Sequence, residues 1–302
     1  MPERNAAYRE MAAIIARYAT AEGEVATAVD TLFLSRRSAP SRPLHTAQWP
    51  CLALVVQGEK SLTLGQEVLR YGVGDYLVVA LDLPVISRVT VASAQAPLLG
   101  LGMAIRPERL KEALRRGPAA AQAAAGPSAR GVAVNAADAL LLDATLRLLR
   151  LLDTPADIPA LAPLVEQEIL YRLINGPCGC GLLRIARADS PANRIARSID
   201  WLRGHYAEQL RIDELARHVG MSVSSLHHHF SAVVGMTPMQ YQKQLRLHEA
   251  RRLMWVDGLD VGDAGFRVGY QSPSQFSREY SRLYGASPSR DLAAARERAI
   301  QA

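Results

Sequence analysis

Residues 212–238 read IDELARHVGMSVSSLHHHFSAVVGMTP, and residues 261–288 read VGDAGFRVGYQSPSQFSREYSRLYGASP. They are two copies of one pattern, about fifty residues apart. Val219-Gly220 matches Val268-Gly269, Leu226 matches Phe276, Phe230 matches Tyr280, Gly235 matches Gly285 and Pro238 matches Pro288. Each copy spells a short helix that stops at a glycine, a turn, and a second helix with one apolar and one polar face, the pattern of a helix-turn-helix. In the first copy Ser222 is placed to cap the second helix, while Leu226, Phe230 and Val233 fall inward and Ser224, His227, His228 and Ser231 fall outward. In the second, Ser272 caps and Pro273 suits the first turn, with Phe276, Tyr280 and Leu283 inward and Ser274, Ser277, Arg278 and Ser281 outward. The outer faces are the reading heads, and the base-facing set is Ser224, His227, His228, Ser274, Ser277 and Arg278.

Between the copies, Pro238 to Trp255 (PMQYQKQLRLHEARRLMW) has no breaker after its first residue, which predicts one helix of about 18 residues and about 27 Å. A rod of that length suits two recognition helices about one DNA turn, about 34 Å, apart. Gln242, Lys243, Arg246, Arg251 and Arg252 then supply phosphate partners along the rod, and Ser222, Ser231, Ser272 and Ser281 supply them at the recognition helices. The 302 residues carry a net charge of +6. Residues 190–302 hold 15 Arg and Lys against 11 acids, and residues 1–189 hold 20 against 18, so the basic excess is denser at the C-terminal end. That balance favours an anionic partner without identifying one.

The N-terminal two-thirds of the chain is of another kind. Arg4 to Thr20 places Tyr8, Met11, Ile15 and Tyr18 on one helical face. From Leu32 to Ile105 short runs such as LALVVQG, SLTLG and ISRVTVA are broken by Gly, Pro and polar pairs, which predicts successive antiparallel strands in a small barrel or sandwich, with Gly58, Gly65, Gly72 and Gly74 at turns of positive φ. A helix is expected over Pro107–Arg115, then a mobile loop at GPAAAQAAAGPSARG. Ala136–Leu152 and Ile158–Ile174 form a helical hairpin, with Leu141, Thr145, Leu148 and Leu152 on one helix and Leu161, Leu164, Glu168 and Tyr171 on the other. The leucines of the first helix cover more than one face, which suits either a dimer contact or full burial. The expected division is residues 1–176, a linker over 177–192, and residues 193–302.

With LARHVGMSVSSLHHHF, LRLHEARRLM and VGYQSPSQFSREYSRLYGASP in place, the C-terminal hundred residues resemble the DNA-binding domain of the AraC/XylS family. PCLALVVQGEK, LRYGVGDYLVVALDLPV and LLRIARADSPANRIARSIDWLRGHY resemble one subgroup of those regulators over most of residues 10–205. The resemblance implies an α+β chain with a cupin-like N-terminal β-barrel that binds an effector, a flanking hairpin over 136–174 for homodimerisation, and an all-α C-terminal domain with two helix-turn-helix units on a long linker helix. It implies a transcription regulator, an activator, with double-stranded DNA, a small-molecule effector and RNA polymerase as partners, and base contacts at the same six residues. Gly265 stands where the family usually has Ala, which costs about 1 kcal/mol of helix stability and predicts a less firmly built second unit. SPSRDL replaces the family's Pro-x-x-Tyr-Arg ending.

Other readings are weaker. His227-His228-His229 diverge by about 100° per residue on a helix and do not chelate one ion. The strand region holds only His45, and no Ser-His-Asp set or Gly-rich phosphate loop is present, so neither an enzyme nor a metal or cofactor is expected. A constitutive binder whose barrel only dimerises stays open. Cys51 reads as packed, with sensing as the alternative, and Cys178 and Cys180 read as loop composition. No apolar run spans a membrane, and a soluble, cytoplasmic protein is expected.

Overall fold

The computed structural model describes residues 2–116, 130–177, 179–186 and 190–300. It divides into two compact units, Met1–Leu44 with Gln48–Asn193, and Arg194–Ala302 with His45–Ala47. No helix among the described residues is long and apolar enough to cross a membrane.

The first unit opens with α1 (Pro2–Tyr18), whose Tyr8, Met11, Ile14 and Ile15 are buried. Ten strands follow: β1 (Gly23–Ala26), β2 (Leu32–Arg37), β3 (Leu44–Gln48), β4 (Cys51–Gln57), β5 (Glu59–Leu64), β6 (Glu67–Gly72), β7 (Asp75–Val79), β8 (Leu83–Val91), β9 (Leu98–Ala104) and β10 (Val132–Ala136). They form a six-stranded sheet, order β1-β2-β9-β4-β7-β10, and a four-stranded sheet, order β3-β8-β5-β6. The expected barrel is therefore two sheets and is not closed; short strands punctuated by turns read alike in either arrangement. β5 and β6 pair with Leu64 opposite Glu67, so Gly65 and Gln66 make a two-residue turn, and Gly65 takes the φ of 61° such a turn demands. Gly72 differs from expectation: its φ is not positive, and it is small because an added Cβ would stand 3.2 Å from the Gly58 carbonyl oxygen.

Four helices flank the sheets: α2 (Pro107–Arg116), α3 (Ala139–Arg150), α4 (Ile158–Asn175) and α5 (Gly179–Ala186). The sequence pattern starts α3 three residues earlier, where β10 instead completes the sheet. The loop expected at GPAAAQAAAGPSARG falls largely on residues outside the described ones. Leu141, Thr145, Leu148 and Leu152 are buried as expected, but α4 is rotated from its expected face. It buries Ala162, Glu166, Ile169, Leu170 and Leu173, and turns Leu161, Leu164 and Tyr171 to solvent. Arg147 on α3 reaches Glu168 on α4 at 2.5 Å, and Arg172 meets the other oxygen of the same carboxylate. Within the stretch expected as a linker, α5 places Leu182 in the first unit's core.

Residues 191–300 carry helices alone: α6 (Pro191–Gly204), α7 (Ile212–Val219), α8 (Val223–Val234), α9 (Pro238–Trp255), α10 (Val261–Arg267), α11 (Pro273–Tyr284) and α12 (Pro288–Ile300). Thr237 and Gln240 close a capping box at the start of α9, with Pro238 at its first turn. α9 serves two small cores. Its Tyr241 ring meets Phe230 of α8 edge-on at 5.7 Å, while Leu247, Ala250, Leu253 and Met254 pack with Ala264, Val268, Phe276 and Tyr280.

Candidate nucleic-acid interface

Each copy of the repeat is a helix pair. α7 ends at Gly220 (φ 68°) and α8 begins behind Ser222, whose hydroxyl accepts from the Ser225 amide. α10 is followed by Gly269 (φ 93°), and α11 begins behind Ser272, which accepts from the Gln275 amide. Both caps are as expected, and each leaves its hydroxyl hydrogen unused by the cap. Leu226, Phe230 and Val233 are buried on α8, and Phe276 and Tyr280 on α11; Leu283 is half-buried. Opposite them, Ser224, His228 and Ser231 on α8, and Ser274 and Arg278 on α11, are exposed, while His227, Ser277 and Ser281 are half-buried. The Arg278 guanidinium rests on the Ser274 carbonyl at 3.3 Å, and Ser281 donates to the Ser277 carbonyl at 2.7 Å. The six expected base-facing residues thus fall three on each outward face.

The polar row of α9 is different from expectation. Gln242 is 6% exposed and donates its amide to the Glu208 carbonyl at 2.8 Å. Arg246 donates to the carbonyls of Tyr206, Glu208 and Ala207 and, at 3.2 Å, Gly269. Arg251 forms a fork with Asp291 and lies over the Trp255 and Tyr284 rings at 3.9 and 4.4 Å. These three side chains hold the unit together, and detaching them for a phosphate would strand buried acceptors. Lys243 and Arg252 pair with Glu279 and with Glu249 and Asp257, but each is 47% exposed, and exposed pairs of that kind exchange partners at little cost.

Sequence reasoning misses a second set of cations. Arg267, Arg282 and Arg290 are exposed, with no hydrogen bond or ion pair among the described residues. Glu279, three residues before Arg282, is engaged instead by Tyr270 and Lys243. Arg290 has no acid three or four residues away, the one signal of this kind that the sequence itself carries.

The duplication also extends further than the matched residues indicate. Arg194 of α6 donates to the Gly220 carbonyl at 2.5 Å, and Arg246 of α9 donates to the Gly269 carbonyl. Gly220 and Gly269 are equivalent repeat positions, and Arg194-Ile195 stands to the first copy as Arg246-Leu247 does to the second. The repeating unit is therefore three helices, with an arginine from the leading helix clamping the turn.

Two family profiles match the chain. One, described as an AraC-type transcriptional regulator N-terminus, covers residues 28–180, just over half of the chain, and one described as a helix-turn-helix domain covers 215–294. The HTH-type transcriptional activator RhaS of Escherichia coli is 30% identical over 113 residues, 37% of this chain and 40% of RhaS. The match therefore spans about two-fifths of the curated relatives' length. Structures of ToxT from Vibrio cholerae share the fold at 10% identity. One, bound to (E)-4-(8-methylnaphthalen-1-yl)but-3-enoic acid, has a TM-score of 0.60 and covers 87% of this chain and 97% of ToxT. Another, bound to an unsaturated fatty acid, has a TM-score of 0.59 over 87% and 93%.

Proposed function

Because this chain belongs to the family of AraC-type transcriptional regulators, we propose that it is a sequence-specific DNA-binding regulator whose first unit binds a small-molecule effector. The observation that carries the reading is the pair of capped helices α8 and α11, each preceded by a tight glycine turn and presenting a polar outer face. Ser224, His227, His228, Ser274, Ser277 and Arg278 read bases from these two helix-turn-helix units, and Arg278 carries the strongest preference, for guanine. Phosphates are met by Lys243, by the hydroxyls of Ser222, Ser231 and Ser272, and by Arg267, Arg282 and Arg290; Ser281, assigned to phosphate from the sequence, spends its hydroxyl proton on the Ser277 carbonyl. Gln242 and Arg246, assigned to phosphate from the sequence, are positioning residues here. The effector domain extends through α5, and the DNA-binding domain begins with α6.

Effector binding is supported by the bound fatty acid of ToxT and by a cavity within the first unit. Activation, supported by the described activity of RhaS, brings RNA polymerase as a further partner. The exposed stripe of α4 supports a homodimer through the 136–174 hairpin.

The test is selection of a DNA site from a random library by the full chain, followed by affinity measurements on selected and random duplexes. Arg278→Ala is expected to cost about 1–3 kcal/mol on the selected site and little on random DNA. Lys243→Ala is expected to weaken both alike and to reduce the salt slope by about 1. Failure to enrich any sequence, or equal losses on both duplexes for both variants, would sink the reading.

A further inference from the structure

Between the two sheets of the first unit lies a cavity whose lining includes Glu24, Gln48, Trp49, Cys51, Lys60 and Tyr71. Strand alternation brings Lys60 there: it shares a face of β5 with Leu62 and Leu64, both fully buried. Lys60 itself is half-buried. Tyr71, 5% exposed, is the direct cross-strand partner of Lys60 and so stands beside it on the same face. Neither Lys60 nor Tyr71 has a hydrogen-bond partner among the described residues, and both border the open space. Neither the amine nor the hydroxyl is among the fully buried polar atoms that lack a partner, so both are reached from the open space, where a ligand can meet them.

We propose that this cavity is the effector site and that it captures a small aldehyde, which Lys60 holds reversibly as a Schiff base; the proposal rests on reading the first unit as an effector domain. The size fits: the cavity holds about 40 Å³, where one water needs about 10–15 Å³, so a ligand of about three to four non-hydrogen atoms enters without rearrangement.

Two nucleophiles face this space, and burial acts on them in opposite directions. It pushes the Cys51 thiol up to about 12, so the thiolate is scarce. It lowers the Lys60 ammonium, against the opposing pull of Glu24, and so favours the neutral amine that attacks a carbonyl. Glu24 in the same lining disfavours an anionic ligand and leaves a neutral one unaffected. In the reaction the Nζ lone pair forms a bond to the carbonyl carbon, and the carbonyl π pair moves to oxygen. Tyr71, whose hydroxyl burial keeps protonated, donates to that oxygen. Transfer of the nitrogen's proton and loss of water give the imine; aldehyde and amine become imine and water with no oxidant or reductant.

The chain contains three lysines, Lys60, Lys111 and Lys243, so the site is easily read. Full-length protein is incubated near neutral pH with propionaldehyde and cyanoborohydride, and propylated peptides are followed by mass spectrometry. Lys60 is expected to label at least roughly tenfold faster than the exposed Lys111 and Lys243, and the preference should vanish in denaturant. Lys60→Met should abolish the fast labelling, and Tyr71→Phe, which keeps the amine, should slow it. Equal or faster labelling of Lys111 or Lys243 in the native protein overturns the proposal. So does a melting temperature raised by propionate and untouched by propionaldehyde, which would mark a small-anion site. Labelling is read without DNA: if it fails while a selected duplex still binds, the regulator reading stands alone. If Lys60 labels without changing affinity for that duplex, the cavity's role as effector site is overturned.

Discussion

Gly265 sits in α10 against the Phe276 ring: a Cβ added there would fall 2.9 Å from Cδ1 and 3.1 Å from Cγ of that ring. The equivalent positions of the first copy hold Ala216 and Leu226, both buried. The two copies thus fill one site in two ways, a small residue under a large ring and a larger one under a smaller side chain. Gly265 is no defect in the second unit, as its helix propensity alone suggests; it is the seat of Phe276. Gly265→Ala is expected to destabilise, since overpacking costs about 1–3 kcal/mol against a propensity gain of about 1 kcal/mol at most. Phe276→Leu should also destabilise, by leaving a cavity. Combined, the two changes reproduce the first copy's pair, and the double variant should melt closer to the parent than either single one. A Gly265→Ala variant that melts above the parent would show the ring is not held there.

At this scale the sequence is legible wherever one side chain has one task, such as the caps Ser222 and Ser272, and silent wherever two side chains share a volume. Cys51 belongs to the legible group, since it stands in an apolar run and is 1% exposed. With its thiol pushed up to about 12, the thiolate fraction at pH 8 is on the order of one in ten thousand. Ellman's reagent should therefore leave Cys51 untouched in the native chain and titrate it only after denaturation; prompt native labelling of Cys51 would restore a sensing role.

Among elements, α9 shows most clearly why charge on a helix does not reveal its partner. Its existence and its ends are legible from the uninterrupted run and from Pro238. Its arginines read as facing DNA because they are basic and lie between two reading heads, but the acceptors that claim them come from distant parts of the chain: Tyr206 and Glu208 for Arg246, Asp291 for Arg251. No periodicity within α9 encodes those pairings. Removing Arg246 deprives several loop carbonyls of a charged donor, a loss of roughly 2–3 kcal/mol. Arg246→Ala should accordingly lower the melting temperature and leave the salt slope of DNA binding unchanged. Arg194→Ala, which frees only the Gly220 carbonyl, should do the same more weakly. A salt slope reduced by about 1 in Arg246→Ala, with stability intact, would return that residue to the phosphate contacts.

For the molecule as a whole, the strands between Leu32 and Ile105, the helical hairpin and the duplicated helices, unlike β1, β10 and α5, are readable in order, because each element type has its own period. Partnership between distant elements is not. β10 joins the six-stranded sheet beside β7, far from it in sequence, and barrel and open sheets are written in the same strands. The spare apolar surface also lies on a different helix from the one the leucine pattern suggests. α3, rich in leucine on several faces, is consumed by packing, leaving Leu140 exposed, whereas α4 presents Leu161, Leu164 and Tyr171 at 43%, 65% and 43% exposure. Leu161 and Leu164, with Tyr171 beyond the paired Glu168 on the same face, make an apolar stripe of the kind that subunit contacts cover. A second copy offering the same stripe would give a two-fold contact, in which each α4 meets its counterpart. Leu164→Glu places a charge at the centre of that stripe, where it touches little of its own chain. It should turn a dimer into a monomer in sedimentation at micromolar concentration while leaving the stability of the monomer within about 0.5 kcal/mol of the parent's. A parent chain already monomeric at that concentration, or a Leu164→Glu chain that still sediments as a dimer, would remove α4 from the contact and leave its stripe to another partner.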